Sequence, residues 1–179
     1  MKPPILYLAL ALFAAIPVAA SAASAAISAF TKHDYEKCKL VKRDIASQTR
    51  RCKGLAGIAV NYFSDDDNSV IDFGSEGRVG EGSYGAEFVF AGKTVEWRGV
   101  RKRGVFAPYA AIVRFDLGQS IGGPFRPRLI IFRLESRSRS CIAASVDGRR
   151  AAANERARQL ADGFGATFDC AKDKARPLE

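Results

Sequence analysis

The stretch Tyr109-Ala110-Ala111-Ile112-Val113-Arg114-Phe115-Asp116-Leu117 (YAAIVRFDL) has the plainest β pattern in the chain. Tyr109, Ala111, Val113 and Phe115 recur with a period of two, the repeat of a strand that turns one face to a core. Similar short runs lie on both sides. Downstream, a Gly/Pro loop at 118–127 leads to an apolar strand at 128–134. A polar turn, Ser136–Ser140 (SRSRS), then leads to a strand at 141–146. Upstream, the pattern predicts strands at 87–90 and 94–100, joined by a tight turn at Ala91-Gly92-Lys93, with a charged turn at Arg101–Gly104. Residues 51–63 read as one strand, and 70–73 as its return strand across the SDDDNS turn at 64–69. Asp, Asn and Ser favour such turns by bonding their own backbone. The segment 37–45 fits either a strand or one helical turn, and the five glycines of 74–85 mark a loop.

One helix follows, at 150–162. It is rich in good helix formers and is capped by Asp147 or Gly148. Ala153, Ala157, Leu160, Ala161 and Phe164 fall on one stripe. The pattern predicts an α+β domain: a mainly antiparallel sheet of about six or seven short strands, with the C-terminal helix packed on it and two disulfides. The expected organisation is a signal peptide at 1–25, a flexible lead-in at 26–36, one globular domain at 37–171 and a charged tail at 172–179.

The N-terminal segment has the three-part layout of a secretory signal. Lys2 is followed by an apolar run from Ile5 to Ala20 and by small-residue cleavage sites at 20–25. An uncleaved anchor is the alternative, which Pro17 and the Ala/Ser-rich stretch after it disfavour. Cleavage leaves about 155 residues, enough for one core. No later run approaches a membrane span. The expected location is outside the cytosol, in the periplasm or the cell exterior. There, Cys38, Cys52, Cys141 and Cys170 read as two disulfides. Of the three pairings, Cys38–Cys52 and Cys141–Cys170 each close a local loop. The formal net charge of +9 favours anionic partners. Export argues against nucleic acid.

Several motifs fail on context. Gly80–Gly85 (GEGSYG) precedes a β-like run instead of opening a helix, and Asp72-Phe73-Gly74 stands before that loop, not after it. Gly92-Lys93-Thr94 lacks the first glycine of a P-loop, since Glu87 occupies that place. Asp65, Asp67, Ser69 and Glu76 match calcium-loop spacing, but Val70 replaces the required glycine. His33 is the only histidine, which leaves triads and multi-histidine zinc sites without their parts. Glu81, Glu87, Glu96 and Asp116 are candidate acids that no spacing singles out. Neither a cofactor nor a metal is expected.

The basic clusters carry more. Trp97, Arg98, Arg101, Lys102 and Arg103 gather near Phe106 as a candidate anion-docking surface. Arg133, Arg137 and Arg139 share a face if their strand runs on through SRSRS. The segments Arg51–Gly57, Val95–Arg98, Pro108–Arg114, and Cys141 through Ala153–Arg158, in that order, resemble small exported proteins of alphaproteobacteria, of the rhizobial group. The resemblance implies a periplasmic location and a shared fold, with no activity or catalytic residues to carry over. The expected function is a non-catalytic exported domain that binds an envelope component or a protein partner through its basic surface. The alternatives are an inhibitor of an exported hydrolase and a hydrolase that uses two carboxylates.

Overall fold

The computed structural model describes residues 25–75, 86–120, 122–164 and 167–176. Most of the expected signal segment and the whole GEGSYG motif lie outside them. The described residues form nine strands and one helix. The strands are β1 (Ile27–Lys32), β2 (Lys39–Arg43), β3 (Ser47–Lys53), β4 (Ala59–Asp65), β5 (Ser69–Phe73), β6 (Phe88–Lys102), β7 (Val105–Gly118), β8 (Arg126–Leu134) and β9 (Ser140–Asp147). The helix α1 spans Ala153–Phe164. The sheet order is β2-β3-β4-β5-β6-β7-β8-β9, with β1 alongside β6. Every pairing is antiparallel except a single parallel contact, Ser69 with Phe90, between β5 and β6.

The α+β class, the C-terminal helix and both local disulfides are as expected, while the strand count exceeds six or seven. The stretch 26–36, expected as a flexible lead-in, supplies β1 and buries His33 and Tyr35. Tyr35 stacks on Tyr62 with ring centroids 4.1 Å apart, and its hydroxyl donates to the Gly92 carbonyl. The run 51–63 divides into β3 and β4 around a 3-10 turn at Leu55–Gly57. The turn expected at Ala91-Gly92-Lys93 is a bulge inside the continuous strand β6. A bulge and a turn draw on the same small residues. The helix begins three residues later than expected, because Ala152 takes a left-handed conformation (φ 57°).

Two cores result. One lies between β3–β5 and one face of β6–β8, and it contains Val60, Ile71, Phe73, Trp97, Val113 and Phe115. The other lies between β7–β9 and the helix, and it contains Ile112, Ile131, Val146, Ala157 and Leu160. All five residues of the apolar helix stripe are buried. Strand β7 therefore feeds a core on each side: Ala111, Val113, Phe115 and Leu117 face the first, and Ala110 and Ile112 the second. Tyr109 departs from the expected alternation. The register with β6 jumps from Ala110–Arg98 to Pro108–Gly99, so Tyr109 is the extra residue of a bulge. It packs against the helix-side core instead.

Cys38–Cys52 ties the lead into β2 to β3, and Cys141–Cys170 ties the chain after the helix to β9. The chain beyond Cys170 is not a loose tail throughout. The Arg176 N–H donates to the Ala143 carbonyl at 2.9 Å, and its guanidinium lies 4.3 Å from the Phe164 ring centroid. No described helix is long and apolar enough to cross a membrane.

Candidate functional site: a basic hairpin tip and the polar network behind it

Strands β6 and β7 form one long hairpin whose neighbours stop short of its end. Strand β1 pairs with β6 only as far as Gly99, and β8 pairs with β7 only as far as Ala110. Beyond them, Val100–Ala107, Arg101–Phe106 and Lys102–Val105 pair with each other alone. At about 3.4 Å per residue the ribbon overhangs by roughly 10 Å. Phe106 anchors it by packing against the first core.

Arg103 (φ 51°) and Gly104 (φ 79°) form the connection. Two consecutive positive φ values between paired residues are the signature of the type I′ turn that matches strand twist. Glycine and asparagine suit its first position, and arginine does not. Arg101, Lys102 and Arg103 are exposed there. Val105, 69% exposed, shares a ribbon face with Lys102. Arg101 folds back so that its Nη1 donates to the Gly104 carbonyl.

Trp97 and Arg98 belong elsewhere, although they adjoin these cations in sequence. Trp97 is fully buried, edge-on to Phe73, and its Nε1–H donates to Thr31 Oγ1 at 2.9 Å. Thr31 Oγ1 also bonds His33 Nε2 at 2.8 Å. Burial holds the His33 pKa below its usual value.

Arg98 points to the opposite face, towards the helix, and is 8% exposed. Its Nε and Nη2 donate to the two carboxylate oxygens of Asp162, at 3.0 and 2.5 Å, and its Nη1 donates to Ser28 Oγ at 2.8 Å. The Tyr109 hydroxyl donates to Asp162 Oδ1, and burial raises its pKa. Ser28 donates in turn to Glu96 Oε1, which also accepts from Arg158 Nε at 2.6 Å. The network joins β1, β6, β7 and the helix. Each of its acids, Glu96 and Asp162, is occupied by an arginine, so neither is placed as a catalytic acid.

The remaining candidates separate widely. Glu87 and Asp116 are exposed, and Glu81 lies outside the described residues, as does Glu76 of the calcium-like spacing. Asp65 Oδ1 accepts the N–H groups of Asp67 and Asn68, which makes that segment an ordinary turn. Among the described residues, no group of three or more His, Cys, Asp or Glu side chains is placed to hold a metal ion. Asp72-Phe73-Gly74 is the end of β5, with Phe73 fully buried. Gly92-Lys93-Thr94 lies in the β6 bulge and forms no phosphate-binding loop. Strand β8 ends at Leu134, so Arg133 does not share a strand face with Arg137 and Arg139. Arg133 reaches the Tyr109 and Phe168 carbonyls, and Arg139 pairs with Glu135 across the turn.

One buried polar residue entered the sequence reading only as part of a motif that fails. Asp72 is largely buried between β4 and its own strand; its Oδ1 accepts from Asn61, and its Oδ2 has no hydrogen-bond partner. Burial raises its pKa to about 6, against the opposing pull of Asn61 and Arg51. Val105 was also missed, although its place beside Arg103-Gly104 was a usable signal. No protein-family model, curated protein or solved structure matches this chain.

Proposed function

We propose that this is an exported, non-catalytic domain that docks on an anionic envelope component through the tip of the β6–β7 hairpin. The observation that carries the reading is the overhang. It presents Arg101, Lys102, Arg103 and the apolar Val105 together on a two-stranded ribbon clear of its neighbours. Arg103 holds a conformation that arginine adopts at a cost, and backbone strain of this kind concentrates at functional sites. The two disulfides and the signal-like N-terminus support export.

The test is co-sedimentation with vesicles containing phosphatidylglycerol, with phosphatidylcholine vesicles and a phosphorylated polysaccharide in parallel. Each cation near an anionic surface contributes about 1 kcal/mol. Replacing Arg101, Lys102 and Arg103 together by Gln should weaken binding about 100-fold. Added salt should weaken the wild type steeply. Binding that ignores both the substitutions and salt would refute the reading.

A further inference from the structure

Three strands leave an edge unpaired by any other described strand, and the three edges differ. Strand β2 (KLVKR) carries exposed Lys39, Lys42 and Arg43, and its register with β3 breaks at Val41. Cations and bulges are the usual defences against strand addition. Strand β9 is covered at Ala143 by the Arg176 backbone. Strand β1 (ISAFTK) has no bulge and a single cation, Lys32. Its register with β6 runs unbroken from Ile27–Gly99 to Lys32–Thr94. It contains no proline, and its one charge stands at its last residue.

The direction of its amides follows from the register. The His33 N–H donates to the Lys93 carbonyl at 2.8 Å, continuing the same pairing, so odd-numbered residues are the ones bonded to β6. The N–H and C=O groups of Ser28, Phe30 and Lys32 therefore turn outward. The Phe30 side chain is 57% exposed, a large aromatic ring on an open edge.

We propose that this edge joins a second copy of the chain, β1 to β1 antiparallel, about a twofold axis at Phe30. Only outward-facing amides can bond, so the pairs must combine residues 28, 30 and 32. The register with the greatest overlap sets Phe30 against Phe30 and Ser28 against Lys32, making about six hydrogen bonds. It covers the two exposed rings with each other. It also holds the two Lys32 ammonium groups about 14 Å apart, beyond the screening length at physiological salt. The same pairing at β2 would set cation against cation, which is why the second copy belongs on β1. Strand β6 of one copy then runs antiparallel to β6 of the other, so the two basic tips emerge at opposite ends of the dimer.

The net charge of each copy opposes association, so salt should strengthen the dimer while it weakens docking at the tip. This opposition separates failure of the one proposal from failure of the other. The experiment is sedimentation velocity on disulfide-bonded protein recovered from an exporting host, over a range of concentration and salt. Wild type should dimerise, about tenfold more tightly at high salt than at low. Phe30→Pro removes an outward N–H and leaves the β1–β6 hydrogen bonds intact. It should weaken the dimer at least about 30-fold with an unchanged Trp97 near-ultraviolet signal. Phe30→Ser keeps the amide and should fall between the two. A wild type that is monomeric at every concentration and salt, or a Phe30→Pro variant that dimerises as well as wild type, would overturn the proposal.

Discussion

Replacing Arg103 by asparagine should make the protein more stable and a poorer binder. Arg103 sits at φ 51°, next to Gly104 at φ 79°. A left-handed conformation costs an ordinary L-residue about 1–2 kcal/mol, and asparagine bears least of that cost. Arg103→Asn therefore stabilises the fold by about 1 kcal/mol, which raises Tm by about 2–4 °C in a chain of this size. The same change removes one cation from the tip and should weaken binding to anionic vesicles about fivefold. Gly104→Ala is the matched control. A Cβ there meets no atom within 4 Å, so its effect is conformational alone. It should cost about 1 kcal/mol while leaving every cation in place, so binding persists below the melting range. Melting followed by circular dichroism and vesicle co-sedimentation read the two effects separately. An Arg103→Asn protein that melts at or below the wild type would refute the strain argument. One that binds as well as wild type would refute the role of the tip.

Three other changes test the framework. Asp162→Ala takes the carboxylate from the buried Arg98 guanidinium, leaving it only Ser28, and should cost about 3 kcal/mol in urea unfolding, whereas Arg98→Met with Asp162→Leu recovers most of the loss. Asp72 has a folded pKa of about 6 against an ordinary 3.8, so its neutral form stabilises the fold and that contribution is lost as pH rises from about 4 to 6. Asp72→Asn should match wild type near pH 4 and exceed it near pH 8, by on the order of 3 kcal/mol. His33 acts in the opposite sense. Its depressed folded pKa means that stability falls as pH drops below 6.5, and His33→Gln should flatten that limb of the Trp97 fluorescence-monitored stability profile.

Alternation made strand β7 and the helix stripe legible, because each buries a periodic set of side chains. The two strands hardest to read, β1 and β2, are edges. Edge strands bury little, and so ISAFTK and KLVKR carry no apolar repeat for a reader to find. The candidate site failed for a different reason. Along most strands alternation separates inside from outside, but along β6 near Trp97 it separates one core from another. Trp97 enters the sheet-sheet core and Arg98 the space beneath the helix, and nothing local in the sequence announces that α1 covers that second face. The cations of the tip stay outside because the neighbouring strands end at Gly99 and Ala110. That is a matter of strand lengths far away in the chain. Tyr109 shows the same limit on a smaller scale, since a one-residue bulge moved it from the expected face.

The segment that closes β9 is held there by a single covalent tether. Arg176 reaches Ala143 because Cys170 is bonded to Cys141, and closing that loop contributes about 3.5 kcal/mol in the chain-entropy account. Before oxidation, a newly made chain lacks that tie and leaves β9 more open, a template on which other polypeptides can stack into insoluble material. Yield during biosynthesis should therefore follow the supply of oxidant more closely than it follows the thermodynamic strength of the finished sheet.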